Sequence, residues 1–357
     1  MRTETKMTRQ TIIRLLSLAD HDKQQALFKR AYTVKVDQLG KNANLRGLIE
    51  FSNQCRKNCL YCGIRSGNLN VTRYTMSDEE ILQEIAFAKS KGLTGVVLQS
   101  GERNDAEFVN RIVALIKRIK KETDEAFRIT LSLGEQSTET YQRWFDAGAQ
   151  RYLLRIETTN ETLYNTIHPN DGLHSFETRL RSLESIQQAG YQTGTGVMIG
   201  LPGQTVENLA DDLLFIQQKG IDMVGMGPYL EHAQTPMFER KERRIPILER
   251  FELSLRMIAV LRLLMPTINI ASTTALQSII PTGQEFGLKA GANVLMPNLT
   301  PINYRKSYLL YENKPCLELD AERTIETLLL RIRNLGEEVA YEDYGDSRYF
   351  VNRQIKY

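Results

Sequence analysis

From Leu45 to about residue 300, short apolar runs alternate with longer stretches whose apolar residues recur at helical spacing. The runs at 46–52, 94–99, 127–132, 151–156, 193–199, 222–228, 267–272 and 292–297 predict eight strands. The stretches between them predict helices. The one after Met76 opens with Ser77 and Glu80 at capping-box spacing and stops at Gly92. A helix-stopping glycine also precedes strands in KGLTGVV, AGAQRYLL, AGYQTGTG, KGIDMVG and AGANVLM. Units repeating every ~25–40 residues imply parallel strands, because parallel neighbours need a long crossover between them. Eight such units fit a (β/α)8 TIM barrel of about 250 residues. A doubly wound open sheet is the alternative, and periodicity does not separate the two. Residues 8–32 read as helical, which gives an N-terminal helical extension over 1–44, a barrel over 45–300 and a C-terminal extension packing on it over 301–357.

Composition narrows the class without naming a chemistry. With 357 residues, 41% hydrophobic and 25% charged, the chain is an ordinary globular protein, large enough to need no disulfide to hold a core. A net charge of +3, from 46 basic and 43 acidic residues, argues against a nucleic-acid or membrane-surface binder. The N-terminus lacks a signal peptide's apolar core, and no run approaches the roughly 18 apolar residues that span a bilayer. A cytoplasmic protein is expected.

Three of the four cysteines change the picture. Cys55, Cys59 and Cys62 form C-x3-C-x2-C directly after the first predicted strand, where a barrel builds its active site. Three thiolates on one loop can ligate three irons of a 4Fe–4S cluster and leave the fourth iron open to a chelating ligand. S-adenosylmethionine (SAM), bound there through its amino and carboxylate groups, could accept an electron and release a 5′-deoxyadenosyl radical. Arg56, Lys57 and Arg65 lie nearby to offset the cluster's negative charge. A zinc site with Cys316 is the competing reading, but structural zinc usually takes paired short spacings and Cys316 has no partner cysteine.

Other strand ends supply candidates for holding SAM. Ser100-Gly101-Glu102 ends the second strand, and Arg155 and Glu157 straddle the end of the fourth, on the same side of it. Charges on an apolar strand are seldom buried without a partner. Arg179 could also meet a carboxylate, although by sequence alone it reads as a helix-surface residue. The segment from Gly196 to Thr205 can lie against an adenine ring, and is equally a Pro-Gly turn with Thr205 as helix cap. The four histidines show no metal-ligand spacing.

The run from Ile49 to Gly63 (IEFSNQCRKNCLYCG) resembles the HydE-type maturases of FeFe-hydrogenase. So do LQSGE, TLSLGE, RYLLRIET, GLPGQT, DDLLFI, DMVGMGP, STTA and GANVLMPN, covering about residues 45–316. Methylornithine synthase and biotin synthase are more distant likenesses. The resemblance implies a complete barrel with an internal cavity. SAM would sit at the cluster, touched by Tyr61, Ser100, Glu102, Arg155, Glu157 and Arg179. A deeper substrate would lie near Arg46, Ser132, Thr273, Thr274, Met296 and Tyr311. It also implies an iron–cysteine carbonyl–cyanide species or a sulfur amino-acid derivative as substrate, ferredoxin or flavodoxin as electron donor, and other hydrogenase maturases as partners. Two departures stand out. Some members carry three C-terminal cysteines for a second cluster, whereas here only Cys316 remains. Some have His between the Arg and Glu of the fourth strand, where this chain has Ile156, a change expected to alter the lining of the cavity. A methylornithine-type mutase or an iron–sulfur electron carrier stays open beside the maturase reading.

Overall fold

The computed structural model describes residues 7–242, 244–315, 317–341 and 343–355. Cys316 lies outside the described residues. Two helices come first, α1 (Arg9–Leu16) and α2 (His21–Leu39), capped by Thr8 and Asp20, so the helical stretch read over 8–32 is broken at Asp20. The chain then enters β1 (Asn42–Leu45) and, after Arg46, β2 (Gly47–Ser52). The first barrel strand therefore begins within the segment read as the N-terminal extension.

Seven further parallel strand positions follow: β3 (Gly95–Ser100), β4 (Arg128–Ser132), β5 (Arg151–Leu153), β6 with β7 (Gln192–Thr195, Met198–Ile199), β8 (Met223–Pro228), β9 (Asn269–Ser272) and β10 (Val294–Leu295). Neighbours in sequence are neighbours in space from β2 through β6, β8 and β9 to β10. The ring closes on the first strand. β2 pairs with β3 on one side, while β1 pairs with β10 on the other, Leu45 opposite Leu295, and Leu48 continues that seam by bridging Asn298. The result is an eight-position (β/α) barrel.

Between the strands run α3 (Asp78–Ser90), α4 (Ala106–Glu122), α5 (Thr138–Asp146), α6 (Glu161–Ile167), α7 (Phe176–Gln188), α8 (Val206–Gln218), α9 (Ile247–Leu264), α10 (Thr274–Ile279) and α11 (Gly283–Lys289). Ser77 and Glu80 make the expected reciprocal cap on α3. α9 is buried on every side from Phe251 to Leu261 apart from Glu252, which fits its position between the barrel and the two N-terminal helices. The described helices include none long and apolar enough to cross a membrane.

The tail does more than pack on the outside. After α12 (Ile302–Arg305), residues 306–315 and 317–319 run beside the mouth of the barrel, α13 (Ala321–Asn334) follows, and β11 (Glu338–Val339) adds in parallel to β1. Residues 343–347 then plug the N-terminal end of the barrel before α14 (Arg348–Gln354). The Asp346 carboxylate accepts from Arg128 Nη2 at 2.9 Å, Arg151 Nη2 at 2.6 Å and Gln192 Nε2 at 2.6 Å. The Gly345 carbonyl accepts from Arg46 and Asn269, each at 2.9 Å.

Candidate active site

The three cysteines sit on the loop that leaves β2 at the C-terminal mouth. Arg73 fixes this loop by donating to the carbonyls of Asn53, Ile64, Arg65 and Asn68. The Asn53 side chain donates to Thr72 and Ser307 carbonyls, and the amides of Cys62 and Arg65 bond back to Cys59 and Cys62 carbonyls. The loop packs directly on the turn after β3. The Glu102 amide donates to Cys55 Sγ at 3.3 Å, and a Cβ at Gly101 would lie 2.3 Å from the Gln54 carbonyl oxygen. Only glycine allows that approach.

The donor set offers three thiols on one loop, which suits three irons of a cluster. Among the described residues, no three His, Cys, Asp or Glu side chains converge closely enough to hold a single metal ion. Burial drives all three thiols upward, Cys59 to about 12, so none is poised as a free nucleophile. Bound iron would supply the positive charge that turns them into thiolates.

Buried charges surround the loop. Glu135, which ends the TLSLGE motif, accepts from Lys57 Nζ at 2.6 Å and Arg179 Nε at 2.5 Å. Burial pushes the Glu135 carboxyl up, but the two cations overcome this and hold it below its ordinary range. Arg179 also donates to the Arg155 carbonyl at 2.5 Å and is only 6% exposed, so it is not the helix-surface residue that the sequence alone suggested. Glu102 faces the same network: its carboxylate accepts from the Glu135 amide at 2.9 Å and lies 3.5 Å from Lys57. Ser100 is buried, its hydroxyl donating to the Gly101 carbonyl.

Arg155 and Glu157 form a bidentate pair, Nε to Oε1 and Nη2 to Oε2 both at 2.9 Å. Strand β5 stops at Leu153 rather than running to 156. Arg155 turns inward to the Val197 and Gly225 carbonyls, and Glu157 takes the left-handed conformation with φ 67°. Tyr61 Oη reaches Glu157 Oε1 at 3.4 Å. All three residues, with Cys62, line a cavity of about 330 Å³ that continues into the barrel.

Of the residues expected deeper, Thr273, Thr274, Met296 and Tyr311 line this cavity, and Thr274 Oγ1 lies 2.8 Å from Tyr311 Oη. Arg46 lies lower, beside a separate space of about 30 Å³ that shares Leu153, Gly225 and Met296 with the main cavity. Ser132 lines neither space. Nor does Ile156, which is fully buried in the hydrophobic core, so the His-to-Ile departure does not change the lining. Sequence reasoning missed Glu50 and Lys314, an ion pair in the cavity wall that also bonds to Asn298 and the Tyr308 carbonyl. The tail supplies Lys314, and no local pattern marks it.

Comparison with known proteins gives this geometry a lineage. The Radical SAM superfamily model matches residues 49–216, from β2 into α8. The FeFe-hydrogenase maturase subunit HydE of Thermotoga maritima is 42% identical over 97% of this chain and 95% of its own length. The 3-methylornithine synthase of Methanosarcina acetivorans is 27% identical over 91% and 88%. The crystal structure of a methylornithine synthase superposes with a TM-score of 0.80 at 25% identity, covering 98% of this chain and 97% of that one. The barrel thus matches that of a solved methylornithine synthase over nearly its whole length, and the chain belongs to the radical SAM superfamily, in the family of the hydrogenase maturase subunit HydE, and is a radical SAM enzyme.

Proposed function

We propose that Cys55, Cys59 and Cys62 hold one 4Fe–4S cluster, and that the chain acts on a small iron–cysteine carbonyl–cyanide species or sulfur amino-acid derivative during assembly of the FeFe-hydrogenase active site. When bound, the cluster supplies the electron that splits SAM into methionine and a 5′-deoxyadenosyl radical. The protein's part is to hold SAM and exclude water. In this reading Glu157 faces the ribose or sulfonium, Arg155 holds the Glu157 carboxylate in place through its bidentate pair, and Arg179 and Tyr61 complete the contact, with Ser100 and Glu102 shaping the turn beneath. Thr273, Thr274, Met296 and Tyr311 hold the substrate further in, and Arg46 borders the smaller space beneath it.

The observation that carries the reading is the continuity of one cavity from Cys62 and Tyr61 to Thr274 and Tyr311, on a chain 42% identical to a HydE maturase. A radical made at the mouth would reach a substrate below without crossing solvent. We further infer a cytoplasmic site of action, where reduced ferredoxin or flavodoxin can supply the electron and other hydrogenase maturases can exchange substrate.

The test has two arms. Anaerobically reconstituted and reduced protein should convert SAM to 5′-deoxyadenosine, and Cys55→Ala, Cys59→Ala or Cys62→Ala should each abolish it. Expression in a host lacking its own HydE-type maturase should restore hydrogenase activity. Cleavage surviving all three changes would overturn the cluster assignment, and failed complementation by a protein that cleaves SAM would overturn the maturase role.

A further inference from the structure

The motif DDLLFI opens with two aspartates on α8 that meet opposite fates. Asp211 is on the surface, paired with Arg9 at 2.6 Å, whereas Asp212 is fully buried. Asp212 Oδ1 accepts from both the amide and the hydroxyl of Thr159, each at 2.6 Å. Thr159 stands two residues after Glu157, in the turn linking β5 to α6. A buried carboxylate costs free energy unless it is hydrogen-bonded, and here Oδ1 takes the Thr159 amide and hydroxyl, with the Thr158 side chain as a weaker partner in the same turn. Burial still pushes its carboxyl up to about 7.

The turn it grips holds a backbone that resists being held. Glu157 and Asn313 are the non-glycine residues with positive φ among those described. A left-handed conformation disfavours a residue with a side chain, and it persists only where the surroundings over-determine it. Upstream, Glu157 is fixed by its amide bond to the Gly196 carbonyl and by accepting from the Met198 amide, both 2.9 Å. Downstream, Asp212 supplies the second anchor. Between them the carboxylate of Glu157 is directed at the Arg155 guanidinium and the cavity.

We propose that Asp212 is a positioning residue: through Thr159 it locks the left-handed turn at Glu157 and so presents the Glu157 carboxylate to SAM. Without it the turn relaxes toward negative φ and swings the carboxylate away from the cavity. The inference rests on Glu157 contacting SAM, as proposed above.

The experiment uses the reconstituted holoprotein, with SAM affinity read by anaerobic calorimetry and local opening read by hydrogen exchange. Asp212→Ala should weaken SAM by about tenfold, the size of a left-handed backbone preference, with iron content unchanged and cleavage at saturating SAM retained. Exchange should rise in the peptide spanning 157–160. Asp212→Asn, which keeps an acceptor oxygen, should recover most of the loss, and Thr159→Val should reproduce part of it should Asp212→Ala fold poorly. In a Glu157→Gln background Asp212→Ala should add less than a twofold effect, because the two act through one contact. Equal losses in both backgrounds, or unchanged exchange over 157–160, would overturn the proposal. If Glu157→Gln alone leaves SAM affinity intact, the assignment of Glu157 is wrong and the inference falls with it, whatever exchange reports about the turn.

Discussion

Replacing Asp346 by Asn tests whether the tail holds the barrel shut by charge. Its carboxylate gathers Arg128, Arg151 and Gln192 at the N-terminal end of the strands, and Arg151 is 1% exposed. The side-chain bonds and charges of these partners outweigh burial and lower the Asp346 carboxyl from 3.8 to about 2. At ~1.4 kcal/mol per factor of ten in proton affinity, this lowering is worth roughly 2 kcal/mol, allowing for a side chain that is a quarter exposed. Stranding the buried Arg151 cation adds to this, since removing one member of a buried pair costs ~3–5 kcal/mol in full, though the Asn oxygen keeps one bond. The expected loss is therefore about 2–4 kcal/mol. Urea unfolding of apoprotein, followed by fluorescence of the sole tryptophan, buried Trp144, measures it directly. With a slope of about 3 kcal/mol/M the midpoint should fall by roughly 1 M. The sign with pH is fixed: a carboxyl depressed in the folded state stabilises above its unfolded value and loses that contribution as pH falls through its folded value. Wild type and variant should thus differ equally at pH 6 and pH 8, and converge only below about pH 4, toward 2. A difference below ~0.5 kcal/mol at neutral pH, within the range of an ordinary surface change, would refute the reasoning.

Two other changes probe the mouth of the barrel and the tail. Gly101→Ala places a Cβ 2.3 Å from the Gln54 carbonyl, so the cysteine loop must lift; iron incorporation on reconstitution should fall by more than half, and full iron content would show that the loop tolerates the shift. Cys316→Ser should leave iron content, the reduced-cluster EPR signal and SAM cleavage unchanged, because no second cysteine accompanies it to ligate another cluster; loss of a distinct EPR component would contradict this.

The barrel and its cysteine loop were legible because each depends on local pattern. Apolar runs with a stop glycine ahead of them mark strands, and C-x3-C-x2-C after the first of these places the thiols at the mouth. Where tertiary contact overrides pattern, the reading stops short. Residues 154–156 look like strand, but Arg155 turns to backbone carbonyls across the barrel and Glu157 takes a left-handed turn that no non-glycine residue advertises. Arg179 sits on a helix with polar neighbours, and only the folded chain brings Glu135 to it. Ile156 alternates away from the lumen into the core, so its difference from the maturases is not one of cavity chemistry. Lys314 and Asp346 come from stretches of the tail outside its helices and strands, and their roles depend on partners more than 100 residues away in sequence.

The pairing of β11 with β1 sets Glu338 opposite Asn42. A contact separated by roughly 300 residues carries a large loop-closure cost and forms late in folding. As the chain leaves the ribosome, the eight strand positions can assemble while the floor of the barrel is still missing and Arg46 and Arg151 still face water. The vessel that would confine a radical is therefore sealed from below only after its walls stand, and a nonsense codon between α13 and β11 would leave every barrel strand encoded while removing the segment that closes the base.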